Sequence, residues 1–205
     1  MLHGGPTKDH PIIAAAGDER VSSSKYITHG PNSDIILLQD PLNPRNSNVT
    51  SSVMRAKISE SGKVAFTFHF ITGDGPSART QQFSWISIKR EEPGFRYGGF
   101  RLVRHALDAH VSSSGNYLAP PQYHSSAYSD GDTLARLIYS KPFEMSLSRE
   151  MFILEFTDQA ASIHLGGHWT HAAVMSALRL YHLGTSGRTS QMGIEFAGSV
   201  RGLQL

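Results

Sequence analysis

The chain has no cysteine among its 205 residues. That absence excludes a disulfide scaffold, a thiolate nucleophile, a zinc knuckle and an iron–sulfur site, and it suits a reducing compartment. Charge is also scarce. Asp, Glu, Lys and Arg make up 18% of the chain and the formal net charge is +2. No long apolar run is present: the uncharged stretch Gln159 to Leu178 contains His164, His168, His171 and several hydroxyls, too polar for a membrane span. The opening Met1-Leu2-His3-Gly4-Gly5-Pro6 lacks a cationic segment followed by an apolar one, so a cytoplasmic protein is expected, neither secreted nor transmembrane. On that expectation the sequon Asn48-Val49-Thr50 stays unused. Signatures of catalysis are missing too. There is no G-x-S-x-G elbow and no dinucleotide fingerprint, and Gly184-Thr185-Ser186-Gly187-Arg188-Thr189 lacks the lysine of a phosphate-binding loop. No cofactor is implied.

What the chain does have is glycine (19), proline (10) and many hydroxyl residues, the mixture of short strands joined by turns. Residues 1–32 lack period except for the patch Pro11 to Ala16 and read as a flexible arm; residues 33–205 read as a single β-rich domain. Strands are expected at Asp34–Gln39, Val53–Ile58, Val64–Ile71 and Gln82–Lys89. The third alternates cleanly: Phe66, Phe68 and Phe70 line one face, Ala65, Thr67 and His69 the other. In the fourth, Phe83, Trp85 and Ser87 share a face opposite Ile86 and Ile88. Apolar spacing at Phe100, Val103, Leu107 and Val111 predicts a helix over 100–111. A long loop, Asn116 to Asp132, follows, then an element of undecided type at Leu134–Tyr139. Phe143–Leu147, Met151–Phe156 and Ser162–Leu165 read as strands. Thr170 caps a second helix that runs to Leu183 and closes at Gly184, and Met192–Val200 reads as a last strand. Strands in sequence without intervening helices argue an antiparallel sheet, so the expected class is α+β with about two helices; an all-β sandwich or jelly roll is the alternative.

Charge is unevenly placed. Residues 1–40 carry three cations against five anions, a net of −2, whereas 79–110 carry six against three, a net of +3. Lys89, Arg90, Arg96, Arg101 and Arg104 are the candidates for contact with phosphates or anionic lipid. Within them, Phe95-Arg96-Tyr97-Gly98-Gly99-Phe100-Arg101 interleaves aromatics and arginines, a pattern able to stack on and neutralise single-stranded RNA. His164, His168 and His171 fall within eight residues and are the candidate metal ligands of a metal-assisted hydrolase. Their spacing matches no standard metal-site pattern, and strand-end and helix-cap roles are the plainer account of them. Pro120-Pro121-Gln122-Tyr123 is the sharpest motif. In a P-P-x-Y ligand the prolines Pro120 and Pro121 lie in the aromatic groove of a WW domain and the tyrosine, Tyr123, fills a second pocket.

Around this motif the chain resembles rhabdovirus-type viral matrix proteins, from Pro121-Gln122-Tyr123-His124 through Lys141–Leu147 to Ile153-Leu154-Glu155-Phe156, about a fifth of its length. The motif lies mid-chain here, whereas that family carries it in the N-terminal arm, and the arm of this chain is acidic rather than lysine-rich. The resemblance implies a non-catalytic structural protein of the virion and host cytoplasm. Such a protein associates with itself, meets an anionic membrane surface or a nucleocapsid or RNA through its arginines, and recruits a host WW-domain ubiquitin ligase through Pro120, Pro121 and Tyr123. A viral coat or movement protein that binds RNA is a near alternative.

Overall fold

The computed structural model describes residues 1–4, 7–18, 31–38, 49–59, 62–72, 79–90, 92–105, 133–140, 151–158, 165 and 167–195. Nine strands form one sheet in strict chain order: β1 (Leu2–His3), β2 (Ile12–Asp18), β3 (Ser33–Leu38), β4 (Val49–Ile58), β5 (Val64–Thr72), β6 (Arg79–Ile88), β7 (Gly99–Arg104), β8 (Thr133–Tyr139) and β9 (Phe152–Phe156). Every neighbouring pair is antiparallel. The long helix α1 (Gly167–Thr185) follows them. The β-rich antiparallel expectation holds, and the sheet order is a plain meander, not the crossed order of a jelly roll.

Alternation decides the two faces. Directly opposed residues share a face, and the register aligns Ala14 with Leu37, Ala56 with Phe66, Phe66 with Trp85, Trp85 with Leu102, Leu102 with Ala135 and Leu137 with Leu154. All of these lie on the inner face, which α1 covers. The helix touches β2, β3, β5 and β9, so the sheet curls around it from both sides. β4 makes much of that bend: its residues 49–54 pair with β3 and its residues 55–58 with β5.

The core is aromatic on the sheet side, and three alanines stand among the larger residues on the helix side. Phe66, Phe68, Phe83 and Trp85 are fully buried against Trp169, Ala172, Ala173, Ala177 and Leu180. The alanines let α1 approach closely, leaving space for the rings. Phe68 stacks on Phe83, and Phe83 meets Trp169 at 6.0 Å between ring centroids. The indole N–H of Trp85 donates to Ser176 Oγ at 2.8 Å, whose hydroxyl donates to the Ala173 carbonyl at 2.9 Å. A buried indole N–H without a partner costs about 1–3 kcal/mol, so this serine is what lets a tryptophan face the helix.

Several expectations change. Residues 2–3 and 12–18 of the expected flexible arm are strands of the sheet. Ala14 is buried and Asp18 binds α1. The helix over 100–111 is instead β7 through Arg104, with 106–111 outside the described residues. Phe100 and Leu102 point inward while Val103 is buried on the outer side. A strand buried on both faces loses its period of two and imitates helical spacing. Leu134–Tyr139 is strand β8. The helix starts at Gly167, ahead of Thr170, and ends past Gly184 in a Schellman turn: Gly187 has φ +72°, Arg188 N–H reaches Leu183 O at 2.9 Å and Gly187 N–H reaches Gly184 O at 3.0 Å. Of the expected strand Met192–Val200, residues 192–195 belong instead to a helical turn over 191–195, whose entry is held by Ser190 Oγ accepting from Gly193 N–H at 3.1 Å, and 196–200 lie outside the described residues. The expected strand Phe143–Leu147 and residues 162–164 lie outside the described residues.

Candidate functional site

The five candidate cations do not share one face. Lys89, Arg90 and Arg96 are exposed in the turn between β6 and β7. Three backbone bonds fold that turn on itself: Glu92 N–H to Lys89 O, Phe95 N–H to Glu92 O and Gly98 N–H to Phe95 O, at 3.2, 3.0 and 2.7 Å. Gly94 (φ +84°) and Gly98 (φ +77°) take the left-handed conformations it requires. Phe95, 5% exposed, anchors the turn in the protein. The Arg96 guanidinium lies 5.4 Å from the centre of the Tyr97 ring, a cation–π contact that steadies it while leaving it open to solvent.

Arg101 and Arg104 sit on opposite sides of β7. Arg104 is opposed to Phe83 and so belongs to the inner face, whereas Arg101 is opposed to Ile86 and Arg136 on the outer face. Along that outer row the register runs Lys57, Ala65, Ile86, Arg101, Arg136 and Glu155. Arg136, exposed beside Arg101, and exposed Lys57 were missed by the sequence reading. Once Leu134–Tyr139 is taken as a strand, its period of two points Arg136 away from Ala135 and Leu137.

Two polar clusters flank this surface. On the outer face the buried Ser84 hydroxyl lies 2.8 Å from both Thr67 Oγ1 and His105 Nε2. Burial, and secondarily His69, pushes the His105 imidazole below its ordinary pKa, favouring the neutral form. On the inner face Asp18 Oδ1 accepts from Arg188 Nη1 at 2.7 Å and from Arg179 Nη2, while Arg179 Nε donates to Ser33 Oγ at 2.8 Å. Arg179 is 7% exposed. This cluster ties β2 and β3 to α1, and its members are occupied with one another. Where β4 leaves β5 for β3, a shallow cleft of about 390 Å³ opens, lined by Ser51, Ser52, Arg55, His69 and Thr80 among others. Ser52 Oγ accepts the His69 backbone N–H across it at 3.3 Å.

His168 and His171 stand on the first turns of α1 with ring centroids 6.5 Å apart. Burial, then His168, lowers the pKa of His171. Among the described residues no group of three His, Asp or Glu side chains is placed to hold a metal; His164 lies outside them. Pro120, Pro121 and Tyr123 also lie outside the described residues. No described helix is long and apolar enough to cross a membrane. No family model matches the chain, and neither a curated protein nor a solved structure matches it.

Proposed function

We propose that this protein is a non-catalytic, matrix-like structural protein that associates with itself and docks on an anionic membrane surface through the turn between β6 and β7. The observation that carries this reading is the construction of that turn: Lys89, Arg90 and Arg96 are exposed on a loop held by three internal hydrogen bonds and a buried phenylalanine. Fixed cations lose less entropy on meeting anionic headgroups than cations on a floppy loop do. The interior supports the same reading, because α1 fills the curve of the sheet and the work of recognition falls to the surface. Pro120, Pro121 and Tyr123 supply the contact to a WW-domain ligase of the host.

Each cation near an anionic membrane contributes about 1 kcal/mol. Replacing Lys89, Arg90 and Arg96 together by glutamate therefore weakens binding to phosphatidylserine-containing vesicles by at least about a hundred-fold. Co-sedimentation at low and high salt measures this. Salt-sensitive binding to anionic but not neutral vesicles, lost in the triple variant, supports the reading; equal binding by variant and wild type overturns it. Preference for single-stranded RNA over vesicles in the same assay moves the reading to a ribonucleoprotein partner, where Arg96 stacked on Tyr97 offers a base-stacking platform.

A further inference from the structure

The two ends of the sheet are built differently. β1 has two residues and its pairing with β2 shifts register between Leu2 and His3, so this edge is short and irregular. Both features are ways in which proteins prevent strands of other molecules from adding. β9 has neither. It is held to β8 over five consecutive pairs without a shift, and the pairing continues through Ser140 N–H to Met151 O and Thr157 N–H to Leu134 O. Residues 151–157 contain no proline, no lysine and no arginine. Met151, Ile153 and Phe156 are 49%, 44% and 41% exposed, a concentration of apolar surface along one edge.

Hydrogen-bond alternation fixes what this edge offers. Because the backbone groups of Met151 and Thr157 face β8, those of Phe152, Leu154 and Phe156 point away from the sheet, and among the described strands only β8 pairs with β9.

We infer that β9 is the self-association surface, pairing antiparallel with β9 of a second copy about a two-fold axis at Leu154; this rests on the self-associating reading above. In that register every outward N–H and C=O of Phe152, Leu154 and Phe156 meets a partner. Phe152 lies opposite Phe156 of the second copy and Leu154 opposite Leu154, extending the apolar inner row across the junction. Ile153 lies opposite Glu155, so no like charges face each other. Shifting the axis to Glu155 would oppose two carboxylates, which destabilises a cross-strand pair. The occupant is a second copy because the strand is complementary to itself, and the net charge of +2 opposes association only weakly. The assembly closes at two through this edge, since the β1 end is too short and irregular to continue the sheet.

Amide hydrogen exchange on the full chain, followed over two orders of magnitude in protein concentration, reads this directly. The amides of Ile153 and Glu155, which face β8, are protected at every concentration. Those of Phe152, Leu154 and Phe156 exchange fast when dilute and become protected as dimer forms, with light scattering reporting mass on the same samples. Ile153→Glu, which in that register sets two carboxylates opposite each other, raises the dissociation constant at least about ten-fold, whereas Ile71→Glu, at a similarly exposed position on β5, leaves it unchanged. Assembly with the three outward amides still fast, or a wild-type chain that stays monomeric throughout, overturns the β9 pairing. Vesicle binding by the same preparations is scored separately, so a monomer that still binds anionic vesicles removes β9 and leaves the membrane reading standing.

Discussion

The two faces of the sheet carry different obligations. The inner face is a row of large rings, Phe66, Phe68, Phe83, Trp85 and Phe100, closed by a helix that sets Ala172, Ala173 and Ala177 among its larger contact residues. The outer face is buried at Ala65, Ser84, Ile86, Ile88 and Val103, and around them it carries the cations Arg55, Lys57, Arg101 and Arg136 and several hydroxyls. Stability is concentrated on the first face. On the second, charges are free to be chosen for contact with something else. The difference teaches where a substitution will unfold the protein and where it will change only what the protein binds.

The sharpest way to break the comparison is on the inner side. Phe66→Ala removes a fully buried ring that meets Phe100 edge-on, with an expected loss of about 3–5 kcal/mol in denaturant unfolding. Gly99→Ala should come next. A Cβ there would sit 2.1 Å from the Leu137 carbonyl oxygen, forcing β7 and β8 apart at a cost of about 1–3 kcal/mol, read as a lower melting temperature. Trp85→Phe keeps most of the ring but abolishes the bond to Ser176; about 1 kcal/mol is expected, and Ser176→Ala alone should cost more because it strands the indole N–H.

The outer face gives smaller and more conditional effects. His105 has a lowered folded-state pKa. Its unfolded value is near 6.5, so the unfolded chain takes up the proton first. The His105 contribution is therefore fully present above that pH and is lost as pH falls below it. Melting temperatures measured from pH 7.5 to 5 should decline, and His105→Asn should flatten the decline; an equal slope in the variant would assign the effect elsewhere, with His171 the first alternative. Smallest of all, Arg96→Ser should leave the unfolding free energy within about 0.5 kcal/mol, since the residue is exposed and lies over the Tyr97 ring rather than in the core. Its effect belongs in the vesicle assay.

Much of the inner face was legible in the sequence. The alternation Phe66, Phe68, Phe70 and the pair Phe83, Trp85 located two central strands and their buried side, and helical spacing between Thr170 and Leu183 located α1. The misses have physical causes. β2 is written in small residues, Ala14-Ala15-Ala16-Gly17, whose strand preference is poor. Its place in the sheet is decided by packing beneath α1 and by Asp18 reaching Arg179, a contact over 161 positions that no local pattern announces. β7 was disguised by burial on both sides. The cationic surface was visible as composition but not as geometry. Only the strand register separates Arg101 from Arg104 and adds Arg136 and Lys57.

Chain order gives the helix a further consequence. α1 comes after all nine strands, yet it covers the inner face of β2, β3 and β5. Neighbouring strands of the meander pair in chain order, but among the described residues the aromatic face they create has no cover until α1 arrives. The contacts that seal it are distant in sequence, Trp85 to Ser176 across 91 positions and Arg179 to Asp18 across 161. Distant closures slow folding, and an uncovered apolar sheet is prone to stick to its neighbours meanwhile. On the ribosome this places a burden on timing: a chain paused before Gly167 would hold a formed sheet with its aromatic side bare. Refolding yield should therefore fall steeply with protein concentration in a chain ending there, and recover when the helix is present.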